Sequence, residues 1–153
     1  MKKLFSLIII IIFLAGVLTA GNHPIQTSLQ FVYGNNLCGI AQSIPIYFGL
    51  EIEKNLSKSI YLKFSYDLFP AFRHLIALTL GADFKIFANT HLYGEGGLML
   101  PIKQFHIFGE THKLVALGLR HSLSKRFDIG VKFSQTWNQV TRSDVHVVIR
   151  LIL

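Results

Sequence analysis

The sequence predicts an all-β fold: eight antiparallel strands closed into an up-and-down transmembrane barrel, preceded by a cleavable export signal. Three observations predict it. Beyond the first twenty or so residues the chain breaks into segments with an apolar residue at every second position, and only an extended strand sorts its side chains with period two. Charged residues make up 15% of the chain, against about 25% in ordinary soluble proteins. The connections also alternate between short polar turns and longer segments, the plan of a barrel that crosses an outer membrane.

The chain of 153 residues is one domain's length. Residues 1–20 read as a signal: Lys2 and Lys3 form a charged head, an apolar run extends from Leu4 to Leu18, and the small residues Ala20 and Gly21 mark a cleavage point. An uncleaved anchor is the alternative, but the run is short beside the roughly 20 residues of a spanning helix. The barrel then occupies 21–153. One cysteine, Cys38, cannot close an internal disulfide. The formal charge of +7 includes the two signal lysines, leaving 15 − 2 = 13 Lys and Arg against 8 Asp and Glu, or +5. That excess is too mild and scattered for a nucleic-acid partner.

Eight strands are expected, over 28–34, 43–54, 59–68, 75–86, 91–101, 113–121, 127–137 and 144–153. In the third, Ile60, Leu62, Phe64, Tyr66 and Leu68 alternate with Ser59, Tyr61, Lys63, Ser65 and Asp67. The fifth is less clean, because Gly94 and Gly96 interrupt its apolar face. "NLSKS", "ANT" and "SLSKR" supply the tight turns after the second, fourth and sixth strands. An internal echo links "GLEIEKNLSKSIYLKFS" from Gly49 with "GLRHSLSKRFDIGVKFS" from Gly118, the arm before "LSK" being two residues shorter in the second copy. Both termini of the barrel then lie on the tight-turn side, the periplasm.

Alternation leaves open which face meets water, since a soluble ligand-binding barrel would turn the apolar face inward. The charges decide it. Glu51, Glu53, Asp67, Asp83, Glu95, Asp128 and Asp144 share the polar face with Lys63, Lys85, Arg120, Lys132, Arg150 and His146, and buried charges are tolerated when paired. Gly49, Gly81, Gly97, Gly118 and Gly130 lie there too, a choice that suits a crowded interior better than a solvated strand. On the apolar face, Tyr33, Tyr66 and Trp137 fall at the loop-side ends and Phe84 and Phe127 at the turn side, as a membrane interface favours. The polar face is therefore the lumen.

From the "LSK" hairpins, "LYGEGGLML" and the terminal strand "DVHVVIRLIL", residues 27–153 resemble the small eight-stranded outer-membrane β-barrel family of Gram-negative bacteria. The resemblance implies an outer-membrane location and recognition of the last strand by the barrel-assembly machinery. It departs from the usual pattern in ending on Leu153, not an aromatic. Motifs of this kind specify architecture and are nearly silent on activity.

An eight-stranded barrel is just wide enough for its own side chains, so a pore is not expected. His91 and His146 have no zinc-ligand spacing, and neither a metal nor a cofactor is expected. Related barrels that deacylate lipid A carry a His-x-Ser-Asn stretch near the seventh strand. Here "FSQTWNQ" places Gln135 and Trp137 at the His and Ser positions and retains only Asn138. Ser134 and Ser122 are the serines an acyl hydrolase could use, the first needing a histidine from another strand and the second adjoining His121 across the pleat. The leading expectation is a structural or surface-interaction role in contact with lipopolysaccharide and outer-membrane lipid. Arg73, Lys103, Lys113 and Arg142 are its candidate contacts, read as residues of the longer loops.

Overall fold

The computed structural model describes residues 25–36, 46–69, 73–103, 106–107, 111–137 and 141–153. The expected signal over 1–20 and Cys38 lie outside them. The strands are β1 (Ile25–Asn36), β2 (Ile46–Asn55), β3 (Ile60–Phe69), β4 (Arg73–Phe87), β5 (Thr90–Lys103), β6 (His106–Ile107), β7 (His112–Ser124), β8 (Phe127–Trp137) and β9 (Thr141–Ile152). Eight of them form a closed antiparallel barrel in the order β4-β3-β2-β1-β9-β8-β7-β5, with β4 pairing back onto β5. The two-residue β6 only folds back on the end of β5, through Ile102–Ile107 and Lys103–His106. Among the described residues no helix is long and apolar enough to cross a membrane. Closure satisfies the ladder of all eight barrel strands, as a lipid-facing wall would require.

Most strands are longer than their patterning predicts. The ladder continues to Asn36 in β1, back to Arg73 in β4 and back to Thr141 in β9, because pairing with a neighbour, not amphipathicity, decides where a strand stops. Arg73, Lys103, Lys113 and Arg142 thus belong to strands, a correction to their placement in loops. The rim asymmetry shrinks with it, since 70–72 and 138–140 are as short as the turns and only 37–45 and 104–111 are long.

The two "LSK" turns share one device. In the four-residue turn after β2, the Ser57 hydroxyl accepts from the amides of Ser59 and Ile60 at 3.4 and 3.1 Å. In the two-residue turn after β7, the Ser124 hydroxyl accepts from the Arg126 amide at 3.2 Å. The internal echo is turn chemistry, in which a serine hydroxyl replaces a missing backbone partner. The second copy carries a bulge between Ser122 and Ser124 beside its turn, and a second bulge lies between Lys85 and Phe87.

The pleat sorts the faces as the alternation demands. Ile60, Leu80, Leu117, Val131 and Leu151 are exposed, whereas Tyr61, Lys63, Thr79, Ala116 and Arg150 are buried. Lys54 and Leu62, paired across β2 and β3, are exceptions: they stand at outward positions yet are buried. Tyr33 and Phe84 are exposed, more than half of each surface open, and Phe127 is exposed as well. Tyr66, half-buried, stacks on outward His74 with ring centroids 5.5 Å apart and shares a 2.5 Å hydrogen bond with its Nδ1. Trp137 is half-buried beside Lys113 at the loop-side end of β8.

The inward glycines make room for large neighbours. A Cβ on Gly81 would lie 2.3 Å from the Tyr61 ring, and one on Gly118 would lie 2.5 Å from the Tyr93 ring. Gly97 is tighter still, because its Cβ would come within 2.0 Å of the Leu78 carbonyl oxygen. Adjacent Gly96 faces outward with nothing within 4 Å. Gly97→Ala should therefore cost about 1–3 kcal/mol, the usual price of overpacking, while Gly96→Ala leaves stability unchanged. Urea unfolding of the refolded barrel in lipid vesicles, followed by gel mobility, checks the pair; equal effects at both positions would refute the assigned faces.

Candidate functional site

All seven carboxylates among the described residues point into the lumen, where they fall into three tiers. The central tier is built on two cations. Lys63 from β3 contacts Glu51 at 3.2 Å and bonds Glu95, and Glu95 also accepts from the Tyr61 hydroxyl at 2.8 Å. Arg150 from β9 contacts Glu51 at 3.2 Å, donates to Glu53 at 3.0 Å and, through Nε, to the Ser28 hydroxyl at 2.7 Å. Glu51 thus joins both cations. Lys63 spans β4 to reach β5, and Arg150 spans β1 to reach β2. Each passes over a small side chain of the strand between, Thr79 paired with Lys63 and Ser28 two residues from Arg150's partner Gln30. Every charge of this tier is almost fully buried.

Nearer the turns, Asp83 is bonded by Arg120 and by His91, the latter at 2.5 Å. Arg120 also approaches Asp128 at 3.9 Å and lies over the Tyr93 ring, 5.9 Å from its centroid. Towards the loops the pairs separate. Gln30 donates to Asp67 at 2.9 Å, Arg142 contacts Asp144 at 3.1 Å, and Ser134 and His146 share a 3.2 Å hydrogen bond.

Several sequence-predicted members take other roles. Lys85 lies at the turn-side rim, exposed and without an ion pair among the described residues, because the strand runs out of barrel there. Lys132 makes no salt bridge among the described residues; it lines a cavity of about 30 Å³ together with Glu53, Tyr61, Tyr93, Asp128 and Arg150. Asp67 is held by an amide, not a cation. Asp144, His146 and Arg150 share a face without forming one network, since each is engaged by a different neighbour. Arg142, part-exposed at the loop-side end of β9, points inward and pairs with Asp144. Lys113 is outward and exposed, and the side chains of Arg73 and Lys103 lie outside the described residues. Sequence reasoning left out Gln30 and Ser28, whose only signal was a polar residue at an inward position.

The Ser134 and His146 contact is the arrangement closest to catalytic chemistry. Asp144 stands directly opposite Ser134, yet its carboxylate is turned to Arg142. His146 Nδ1 is buried without a hydrogen-bond partner among the described residues, so no acid orients the ring as a base requires. Gln135 and Trp137 face outward, and His121 bonds Thr90 on the outer face, away from Ser122.

No family model matches the chain, and no curated protein matches it. Solved structures do. The N-terminal barrel domain of Pseudomonas aeruginosa OprF is similar at TM-score 0.63 and 12% identity, covering 84% of this chain and 97% of that one. Neisserial surface protein A is similar at 0.57 and 11%, covering 83% and 94%. The Yersinia pestis outer membrane protein Ail, in a phospholipid bilayer nanodisc, is similar at 0.53 and 16%, covering 84% and 99%; Ail has also been crystallised with the heparin analogue sucrose octasulfate. The fold is that of the eight-stranded outer-membrane β-barrels, and a band of exposed apolar side chains surrounds it.

Removing one central cation tests the network. Lys63→Met strips Glu51 and Glu95 of a shared partner and should lower stability by about 3–5 kcal/mol, the cost of leaving buried charge unpaired. Lys85→Met, at the exposed rim, should stay within about 0.5 kcal/mol. Equilibrium unfolding in one vesicle system compares the two, and equal small effects would place Lys63 in solvent.

Proposed function

We propose that this outer-membrane barrel is a non-conducting, non-catalytic surface protein that contacts lipopolysaccharide at its loop-side rim. The observation that carries the reading is the plugged lumen. The charged side chains of its central tier are committed to one another across four strands, and the cavity beside them has room for a water or two, not for a hydrated ion in transit. What the barrel offers to others is its rims and outer face. Lys113 supports an outer-leaflet contact: it is exposed and outward-facing, and pairs directly with Trp137, the combination of cation and amphipathic ring that suits a phosphorylated headgroup. The complex of Ail with a polysulfated sugar lends the same chemistry a precedent on this fold. Assembly fits the same picture, with Val145, Val147, Ile149, Leu151 and Leu153 giving the last strand an apolar outer face for the barrel-assembly machinery to read.

The 3.2 Å contact of Ser134 with His146 favours a second reading, an outer-membrane acyl hydrolase acting on lipid A. Against it stand the unoriented Nδ1 and the almost complete burial of Ser134.

Three measurements separate these. In planar bilayers the refolded barrel should give no single-channel conductance; stable steps would overturn the plugged lumen. Binding to lipopolysaccharide should weaken as salt shortens the screening length below about 10 Å, and Lys113→Gln should reduce it. The acyl pattern of lipid A, by mass spectrometry, should be the same in cells with and without the protein, whereas an acyl chain lost with wild type and retained with Ser134→Ala would establish the hydrolase.

A further inference from the structure

The turn-side rim carries a charge pattern that neither the lumen nor the loop side explains. Lys58, Lys125 and Arg126 occupy the turns after β2 and β7, all exposed, and exposed Lys85 closes the end of β4. None of the four forms an ion pair among the described residues, and the acidic side chains at this end, Asp83 and Asp128, face inward towards Arg120. The rim is therefore a basic collar with its counter-charges turned inside the barrel.

Large apolar residues interleave with these cations. Leu56 is 43% exposed two residues before Lys58, Phe87 is 72% exposed two residues after Lys85, and Leu123 is 58% exposed two residues before Lys125. The bulge in β7 has a bearing on this. A bulge re-aims the side chains of its strand, and the extra residue between Ser122 and Ser124 is Leu123 itself, while the bulge in β4 immediately precedes Phe87. Ladder regularity is given up beside two of these three apolar side chains, Phe87 and Leu123. A surface facing only water would carry no such residues, and a surface buried in acyl chains would carry no such cations. The boundary between acyl chains and headgroups accommodates both.

We propose that the turn-side rim docks the inner leaflet of the outer membrane through anionic glycerophospholipid, with Lys58, Lys125 and Arg126 on headgroup phosphates and Leu56, Phe87 and Leu123 among the upper acyl carbons. The inference rests on the outer-membrane reading, in which the short turns face the periplasm. It adds a lipid preference on the leaflet opposite to lipopolysaccharide. Cell-wall carboxylates would satisfy the same cations, but they leave the apolar residues between them without a partner, so lipid fits the whole pattern.

The test compares barrels folded in vesicles of phosphatidylcholine alone with barrels in vesicles also containing phosphatidylglycerol, reading the thermal midpoint from the gel mobility of unboiled samples. The anionic lipid should raise the midpoint by about 5 °C or more, from roughly one favourable contact per cation near an anionic surface, and high salt should erase the gain. A variant combining Lys58→Gln, Lys125→Gln and Arg126→Gln should lose the gain while keeping the wild-type midpoint in phosphatidylcholine. Lys113→Gln should keep the gain even where it weakens lipopolysaccharide binding, so the two readings fail separately. A gain that survives the triple variant, or no gain in the wild type, overturns the proposal. Sedimentation with purified cell-wall sacculi that the triple variant abolishes, with no response to phosphatidylglycerol, would overturn it in favour of the cell wall.

Discussion

Carboxylates inside a closed barrel with an apolar outer face govern the rest of this structure. Desolvating an ion costs several kcal/mol even after relaxation, and only well-placed partners recover it. Here the recovery runs through Lys63 and Arg150, which meet on the two oxygens of Glu51 and between them hold Glu53 and Glu95. Four strands, β2, β3, β5 and β9, are cross-linked through side chains in the middle of the lumen, in addition to the backbone ladder that closes the wall.

Such links need space above the strands they pass over, and that need accounts for much of the remaining lumen composition. Thr79 and Ser28 are small where Lys63 and Arg150 reach past them, and Gly81 and Gly118 are bare where the Tyr61 and Tyr93 rings lie across them. Tyr61 then returns the favour by donating to Glu95. Large and small side chains interlock around the same charges, so steric and electrostatic demands select the same positions. Among these charges the interior keeps a cavity of about 30 Å³.

Those surfaces differ end to end. The two bulges and four exposed cations gather at the turns, while Tyr33, Tyr66 with His74, and Trp137 with Lys113 mark the opposite end of the apolar band. With every described carboxylate drawn into the lumen, each rim presents its cations unopposed by acidic side chains of the described strands. The inward sorting of negative charge thereby sets the character of the exterior.

Alternation alone determined the strand count, the lumenal face and which glycines stand among long side chains, because period two is a property of the extended backbone and needs no knowledge of neighbours. It also put the interface aromatics outside. What it could not determine is who meets whom. Ser134 meets His146 because β8 and β9 pair in the register that sets Lys132 against His146, and Asp144 turns to Arg142 because its own strand continues three residues further than its pattern. Lys85 drops out of the network because the barrel ends at its height, and Leu123 is re-aimed by a bulge made necessary by a short turn. Register, strand ends and bulges depend on hydrogen bonds between segments far apart in the chain. The faces were therefore legible one strand at a time, whereas the charge network and the composition of each rim were decided only when the eight strands closed on one another.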